Sequence, residues 1–250
     1  MRILVLGGTS EASKLARLLS EARGISATLS FAGRTKAIIV PPIPYRIGGF
    51  GGVDGLTSYL TAGRVNLLVD ATHPFAEQIS RHAAIAAERA KIPLVVLSRP
   101  PWVRTEDDNW IDAASMGDAA LAPGRAPQRV FLTVGRLPIE AFAKAPQHFY
   151  LIRTIEPPEY PLPLPNYQII LERGPFAVKA EETLLRDKAI DVLVTKNSGG
   201  EAAFAKIFAA RQLRIPVIMV ARPGAAAAAL HDPLDAIEVI LRHQAALRGV

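Results

Sequence analysis

Three apolar segments in the first half of the chain recur, in the same order, in its second half. Residues 2–7 resemble residues 129–135, residues 66–70 resemble residues 191–195, and residues 92–100 resemble residues 215–223. Each copy follows its original at a spacing of 123–127 residues. Continuous apolar runs of this kind are typical of strands buried on both faces of a parallel sheet. The pattern predicts two similar α/β halves, although buried strands of unrelated sheets also resemble one another.

A stretch rich in proline and glycine, Leu-Ala-Pro-Gly-Arg-Ala-Pro at residues 121–127, separates the two halves. Domain linkers have this composition. We therefore predict an α/β protein with two Rossmann-like, doubly wound parallel-sheet domains, one at residues 1–122 and one at residues 123–250, with an interdomain cleft. Ligands of open parallel sheets bind beyond the carboxyl ends of the strands, so the residues that follow each strand are the candidates for a site.

The first strand ends in Gly-Gly-Thr-Ser, and a segment with helical periodicity follows. Glycines allow a phosphate to approach the backbone, and the N–H groups at the start of a helix attract anions. Gly7, Gly8, Thr9 and Ser10 are therefore predicted to contact the phosphates of a dinucleotide cofactor. The hydroxyls of Thr9 and Ser10 can either cap the helix or donate to a phosphate. The spacing departs from G-x-G-x-x-G, since Ala12 is the small residue at the helix start. A plain strand-to-helix turn is the alternative.

No carboxylate follows the predicted second strand, where NAD-binding domains place one for the ribose 2′-hydroxyl. Ser30, Gly33 and Arg34 lie at this point of the chain instead. A guanidinium binds a 2′-phosphate through paired hydrogen bonds, so these residues favour NADPH over NADH. The alternative is a surface arginine in a turn.

Polar residues also follow the other predicted strands. Thr72 and His73 follow the fourth strand; we expect Thr72 to contact the cofactor and His73 to donate a hydrogen bond or a proton, unless His73 has a structural role. Cationic and glycine-rich positions in the second half suit an anionic ligand with several carboxylates. These positions are Arg136, Arg173, Gly174, Lys196, Asn197, Ser198 and Gly199. A capped helix start with a solvated lysine is the alternative for residues 195–201.

Five motifs together resemble the precorrin-6A reductases of cobalamin biosynthesis. They are Gly-Gly-Thr-Ser-Glu-Ala at residues 7–12, Asp-Ala-Thr-His-Pro-Phe-Ala at 70–76, Arg-Gly-Pro-Phe at 173–176, Thr-Lys-Asn-Ser-Gly-Gly at 195–200, and Arg-Pro at 222–223. The resemblance covers essentially the whole chain. It implies an NADPH-dependent reductase that transfers a hydride to a ring-contracted tetrapyrrole, precorrin-6A, to give precorrin-6B.

This interpretation makes His73 and Lys196 the candidate catalytic residues and gives the second half the role of holding the macrocycle. The basic balance of the chain, a formal net charge of +6, fits a substrate rich in acetate and propionate groups. Whether the substrate carries cobalt stays open at this point. A non-catalytic module that senses NADP is the alternative from a different class.

Several other classes are disfavoured by composition. The chain has no cysteine, and its five histidines form no HExxH motif, so no metal site is predicted. No tyrosine has a lysine four residues later, as a short-chain dehydrogenase would require. Aromatic residues make up 6% of the chain and do not interleave with basic clusters, which argues against a nucleic-acid partner. We expect a cytoplasmic protein without a membrane segment, and a monomer, because two halves in one chain already form a cleft.

Overall fold

A computed structural model describes residues 1–33, 39–224 and 229–249 of the chain. The strands are β1 Arg2–Leu6, β2 Ser26–Phe31, β3 Tyr45–Ile47, β4 Leu67–Asp70, β5 Leu94–Val96, β6 Trp110–Ala113, β7 Arg129–Thr133, β8 Phe149–Thr154, β9 Tyr167–Leu171, β10 Val192–Lys196 and β11 Val217–Val220. The α-helices are α1 Ser10–Glu21, α2 Gly52–Ala62, α3 Glu77–Ala90, α4 Met116–Leu121, α5 Val178–Asp187, α6 Ala205–Gln212 and α7 Pro233–Arg248. Two 3₁₀ helices span Leu137–Lys144 and Glu201–Ala203.

The chain divides into two compact units, and the first of them is built from both ends of the chain. It comprises Met1–Pro100 and Pro223–Val250. Its sheet has the order β3-β2-β1-β4-β5, and all of its strand pairs are parallel. Alternate residues of β1 face opposite ways: Ile3 packs with α1 and α7, whereas Leu4 packs with α2 and α3. Helices thus cover both faces, which explains why the strands are continuously apolar.

The second unit is continuous and comprises Pro101–Arg222. Its sheet has the order β6-β11-β10-β7-β8-β9, again with parallel pairs throughout. Helices α5 and α6 contribute Leu185 and Ile207 to a core that also contains Phe131 and Leu193. Helix α4 packs against β11 and against the 3₁₀ helix Leu137–Lys144. The second sheet is therefore also covered by helices.

The predicted repeat is confirmed by the two strand orders. The first sheet reads β3-β2-β1-β4-β5, and the second contains β9-β8-β7-β10-β11 with β6 added beside β11. Strands with similar sequences hold equivalent positions in the two sheets: β1 corresponds to β7, β4 to β10 and β5 to β11. The α/β fold with two Rossmann-like domains follows from this arrangement.

The division of the chain differs from the boundary predicted at residues 122 and 123. Residues 101–122 belong to the second unit because β6 pairs with β11 and extends that sheet. Residues 223–250 belong to the first unit because Ala236 and Ile240 of α7 lie in the core that α1 covers. The chain first passes between the units directly after the Arg-Pro pair at residues 99–100, and it passes back within the Arg-Pro pair at residues 222–223.

No helix within these described residues is both long and apolar enough to cross a bilayer.

Candidate active site

In the first unit, the order of the strands places a crevice at the carboxyl ends of β1 and β4. The chain proceeds from β1 toward β2 and β3 on one side, and from β4 toward β5 on the other. At such a reversal of strand order the two following turns diverge and leave room for a ligand. The turns that meet here begin at Gly7 and Ala71. The predicted cofactor residues that follow β1 and β4, namely Gly7, Gly8, Thr9, Ser10 and Thr72, therefore lie at the topological switch point.

The glycine turn after β1 has little room at its first residue and open space at its second. The Gly7 N–H donates to the Ser30 carbonyl at 2.9 Å, and a side chain at Gly7 would lie 2.7 Å from a methyl group of Leu29. Gly8 has a φ of 121° and nothing within 4 Å of the position a Cβ would take. An approaching phosphate would therefore meet backbone rather than a side chain at Gly8.

Thr9 joins the two turns at the switch point and caps α1, as predicted. Its hydroxyl accepts the Ala12 N–H at 3.1 Å and donates to the Ala71 carbonyl at 2.8 Å. Ser10 begins the helix, and its hydroxyl donates to the carboxylate of Glu11 at 3.0 Å. The Thr9 hydroxyl already donates its proton to a carbonyl, so it has none left to donate to an anion. The groups that can bind an anion at this turn are the backbone N–H groups at the start of α1.

Thr72 is held by a buried carboxylate. Asp70 is 4% exposed, and its Oδ1 accepts both the Thr72 N–H at 3.1 Å and the Thr72 hydroxyl at 2.7 Å. The same hydroxyl lies 3.3 Å from that of Ser80 in α3. The structure thus gives Thr72 a role in shaping the turn after β4, in addition to the cofactor contact predicted for it.

A hydrogen bond to the His73 ring selects the tautomer of the neutral imidazole. The Phe75 N–H donates to Nδ1 of His73 at 3.2 Å, so the neutral imidazole carries its proton on Nε2. The Ala76 N–H donates to the His73 carbonyl at 2.7 Å and closes the turn. His73 therefore lies in an ordered turn just beyond β4, with a donor at Nε2. Helix α3 begins after this turn, at Glu77.

Ser30 holds a guanidinium that sequence reasoning missed. Ser30 is 5% exposed, and its hydroxyl accepts from Nη1 of Arg46 at 2.8 Å. Arg46 stands opposite Ser30 in the β2–β3 register. It also donates to the Gly48 and Gly49 carbonyls at 2.8 and 3.0 Å, and its guanidinium carbon lies 4.0 Å from the centre of the Phe50 ring.

Arg46 is a positioned cation at the end of the sheet where a ribose is expected. It makes no ion pair with any residue that the structure describes. Of the other residues predicted here, Gly33 has a φ of 75° and lies against Ile47, while Arg34 falls outside the described residues. The sequence gives little sign of Arg46, because the strand that carries it, β3, is only three residues long and shows no strand periodicity.

The second unit has its switch point between β7 and β10. Gly135 follows β7 with a φ of 79°, and Arg136 comes next, with Nη1 donating to the Pro157 carbonyl at 3.3 Å. Lys196 is the last residue of β10. Two of the predicted cationic residues thus lie at the strands that flank the switch point. Arg136 follows β7, and Lys196 ends β10.

Asn197 is engaged within the second unit, and its predicted contact with the substrate stays a prediction. Its Oδ1 accepts the Trp102 N–H at 2.8 Å, and its Nδ2 donates to the Trp102 carbonyl at 3.0 Å. The Trp102 indole in turn donates to the Gly200 carbonyl at 3.0 Å. Asn197 therefore anchors the segment by which the chain enters this unit.

The remaining predicted residues of the second unit lie in two tight turns. Ser198 is 8% exposed, and its N–H donates to the Lys196 carbonyl at 2.7 Å. Gly199 follows with a φ of 67°. Arg173 and Gly174 follow β9, and a Cβ at Gly174 would lie 3.0 Å from the Phe176 ring and 3.2 Å from the Ala202 carbonyl. A side chain at this position would therefore require the Phe176 ring and the Ala202 carbonyl to shift by a few tenths of an ångström.

Comparison with known proteins shows the family. The model of the family described as precorrin-6x reductase CbiJ/CobK matches residues 2–241 of this chain. The chain belongs to this family of reductases. It is therefore an oxidoreductase of cobalamin biosynthesis, and membership in a reductase family of this kind implies a nicotinamide cofactor.

Individual members of the family are similar over nearly their whole length. The precorrin-6A reductase of Rhodobacter capsulatus is 45% identical and covers 100% of this chain and 99% of its own. A solved structure of CobK precorrin-6A reductase has a TM-score of 0.91, 44% identity and coverage of 97% of both chains. The cobalt-precorrin-6A reductase of Priestia megaterium is 29% identical over 88% of this chain and 90% of its own.

Proposed function

We propose that this chain transfers a hydride from NADPH to the macrocycle of precorrin-6A and so produces precorrin-6B. The observation that carries the proposal is the similarity to precorrin-6A reductases over the full length of both chains. The identity to a relative that acts on the cobalt complex is lower, 29% against 45%. This difference favours the cobalt-free macrocycle as the substrate.

The glycine turn of the first unit suits the pyrophosphate of a dinucleotide. The open space at Gly8 and the start of α1 allow phosphate oxygens to reach backbone N–H groups. Thr9 holds this turn to the turn after β4, so the N–H groups are fixed before any ligand arrives. The residues present thus fit a dinucleotide, which supplies a hydride when it is bound as NADPH.

Arg46 supports NADPH rather than NADH. Its guanidinium is held by the Ser30 hydroxyl and the Gly48 carbonyl and lies over Phe50, so little side-chain freedom is lost when it binds an anion. In this arrangement Ser30 orients Arg46, and Arg46 binds the 2′-phosphate. A carboxylate that would repel the phosphate is absent from the described end of β2, residues 30–33.

Arg136 and Lys196 would hold the macrocycle in the second unit. Precorrin-6A carries several carboxylates, and each cation can bind one of them near the β7–β10 switch point. Arg173, on the loop after β9, provides a third cation. Catalysis then rests on the placement of the electron-poor carbon of the ring relative to the hydride donor.

His73 is the candidate for a proton donor or a hydrogen-bond donor to the substrate. Its Nδ1 is occupied by the Phe75 N–H, so only Nε2 carries a transferable proton in the neutral ring. If the reaction needs this donor, His73→Ala lowers kcat and leaves the KM for NADPH unchanged. A variant with full kcat would restrict His73 to a structural role.

The decisive experiment is an anaerobic incubation with NADPH and precorrin-6A, in which nicotinamide absorbance and macrocycle mass are followed together. We expect stoichiometric loss of NADPH and a mass gain of two hydrogens. Bound but unconsumed NADPH with an unchanged macrocycle would contradict the proposal and favour a sensing module. Cobalt-precorrin-6A in a parallel incubation tests the choice of substrate, and we expect slower turnover with it.

Variants of Arg46 test the choice of cofactor. Arg46→Gln should raise the KM for NADPH at least tenfold and change the KM for NADH little, because only NADPH has the 2′-phosphate. Arg17→Gln, an exposed arginine on α1, is the matched control. Equal effects of Arg46→Gln on both cofactors would contradict the assignment.

Variants of Arg136 and Lys196 test the substrate site. Arg136→Ala and Lys196→Ala should raise the KM for precorrin-6A and leave the KM for NADPH unchanged. Unchanged KM and kcat for precorrin-6A in both variants would remove these residues from the proposed site.

A further inference from the structure

Arg153 is a buried guanidinium that the proposed mechanism does not use. It is the last but one residue of β8 and is 7% exposed. Its Nη1 and Nη2 donate to the two carboxylate oxygens of Glu181 in α5, at 3.0 and 2.8 Å. Glu181 is only 2% exposed. Both charges are therefore compensated within the unit by a paired, two-point contact.

Arg153 also contacts both ends of the loop that leads from β9 into α5. Its Nε lies 3.1 Å from the Glu172 carboxylate, and its guanidinium carbon lies 4.2 Å from the centre of the Phe176 ring. Arg173, one of the predicted cationic ligands, lies between these two residues in the chain. The loop of residues 172–176 is thus fixed at its first and last residues by one side chain.

The middle of the same loop is tightly packed. A side chain at Gly174 would be 3.0 Å from the Phe176 ring that rests on Arg153, and 3.2 Å from the Ala202 carbonyl. The loop therefore packs on the 3₁₀ helix Glu201–Ala203, in the segment that follows β10 and its last residue, Lys196. A shift of Phe176 would move the backbone next to Arg173.

Stability alone is a poor explanation for this arrangement. A buried ion pair contributes little net stability compared with apolar side chains of the same volume, because both charges must leave water. It does fix the positions of the groups that it contacts. Here Arg153 contacts both ends of the loop of residues 172–176, which carries the cation Arg173.

We propose that Arg153 is a positioning residue that holds the loop of residues 172–176 so that Arg173 meets a carboxylate of the tetrapyrrole. The inference rests on the proposed function, since it takes precorrin-6A as the ligand of Arg173. Arg153 itself does not touch the substrate. Its effect is transmitted through Glu172 and Phe176.

Two single variants separate positioning from folding. Phe176→Leu and Glu172→Gln each remove one contact between the loop and Arg153, and both leave the Arg153–Glu181 pair in place. We expect each to raise the KM for precorrin-6A roughly tenfold, with kcat within about twofold of the wild type and an unchanged KM for NADPH. Asp187→Asn, at an exposed carboxylate on α5, is the matched control.

A double variant, Arg153→Leu with Glu181→Leu, removes the charges and keeps an apolar core. We expect it to fold and to show the same rise in the KM for precorrin-6A. A merely structural role would instead lower the fraction of active enzyme, which reduces kcat and leaves KM unchanged. An unchanged KM for precorrin-6A in all three variants would overturn the inference.

A readout that needs no substrate keeps this test separate from that of the proposed function. Trypsin can cleave after Arg173, and the rate of this cleavage in the native protein reports the order of the loop. We expect faster cleavage after Arg173 in Phe176→Leu and Glu172→Gln than in the wild type and in Asp187→Asn. Equal rates would overturn the inference, whereas failure of the wild type to reduce precorrin-6A would overturn the proposed function itself.

Discussion

Ser30 and Arg153 hold the same register position in the two sheets. Arg2 lies opposite Ser26 in the β1–β2 pair, and Arg129 lies opposite Phe149 in the β7–β8 pair. Ser30 lies four residues after Ser26, and Arg153 lies four residues after Phe149. Ser30 accepts a hydrogen bond from Arg46 on the neighbouring strand, whereas Arg153 supplies the guanidinium itself and pairs with Glu181.

Gly55 in α2 provides a test in which the usual effect of a substitution is reversed. Replacing glycine by alanine inside a helix normally stabilises by about 0.5–1 kcal/mol. In this helix a Cβ at Gly55 would collide with the Phe50 carbonyl, which is backbone and cannot rotate away. Gly55→Ala should therefore lower the free energy of unfolding and displace the turn that holds Arg46.

The matched control is Gly117→Ala in α4, where the nearest atom to the new Cβ, the Ser115 hydroxyl, is at 3.5 Å. This variant should have an unchanged or higher free energy of unfolding. Urea titration of both variants measures the difference. A Gly55→Ala protein as stable as the wild type would show that the Phe50 carbonyl can move without cost.

His148 should make stability depend on pH in a narrow range. It is fully buried, and its Nδ1 accepts the Gln128 N–H at 3.2 Å. Burial lowers the pKa of His148 below its ordinary value of 6.5, and a hydrogen bond to the Gly124 carbonyl opposes this only in part. Between the lowered pKa of the folded chain and pH 6.5, the unfolded chain therefore binds a proton that the folded chain does not.

The free energy of unfolding should accordingly fall as the pH drops from about 6.5, by at most about 1.4 kcal/mol per pH unit for this one group. Above pH 6.5 His148 contributes no pH dependence. Asp108 does not interfere in this range. Burial would raise the pKa of this carboxyl, but hydrogen bonds from Arg211 and Thr105 outweigh it and hold the pKa below the ordinary 3.8.

The measurement is a set of urea titrations between pH 4.5 and 7.5 on the wild type and on His148→Asn, which keeps an acceptor for the Gln128 N–H. The variant should have a flatter profile between pH 4.5 and 6.5, whatever its absolute stability. Parallel profiles for the two proteins would show that His148 is protonated in the folded state.

Asn197→Ala should destabilise the second unit. The substitution leaves the N–H and the carbonyl of Trp102 without the partners they have now, at 2.8 and 3.0 Å. Unpaired backbone groups of this kind cost about 1–3 kcal/mol where they are shielded from water. Asn166→Ala, at an exposed asparagine, is the control. A stable Asn197→Ala protein with a raised KM for precorrin-6A would instead support the ligand role that the sequence predicts.

The strands that recur could be predicted because burial on both faces leaves a plain apolar signal. The cap at Thr9 could also be predicted, since its hydroxyl serves the first turn of a helix. Arg46 could not, because three residues of β3 carry no pattern and its partners are carbonyls of a loop. Arg153 follows a run of apolar strand residues, and only the fold brings Glu181 to it.

The division of the chain was harder to predict for a different reason. Proline and glycine at residues 121–127 mark a loop, and a loop inside a unit has the same composition as a linker between units. The pairing of β6 with β11 joins segments about a hundred residues apart, and no local pattern indicates it.

The discontinuity of the first unit has a consequence for synthesis. Its core includes Ala236 and Ile240 of α7, which leaves the ribosome after the whole of the second unit. The second unit needs only Pro101–Arg222 and can be complete before α7 is made. The unit whose sheet is translated first is therefore the unit that finishes folding last, and its nascent sheet must wait, with one apolar face incompletely covered, until α7 has been made.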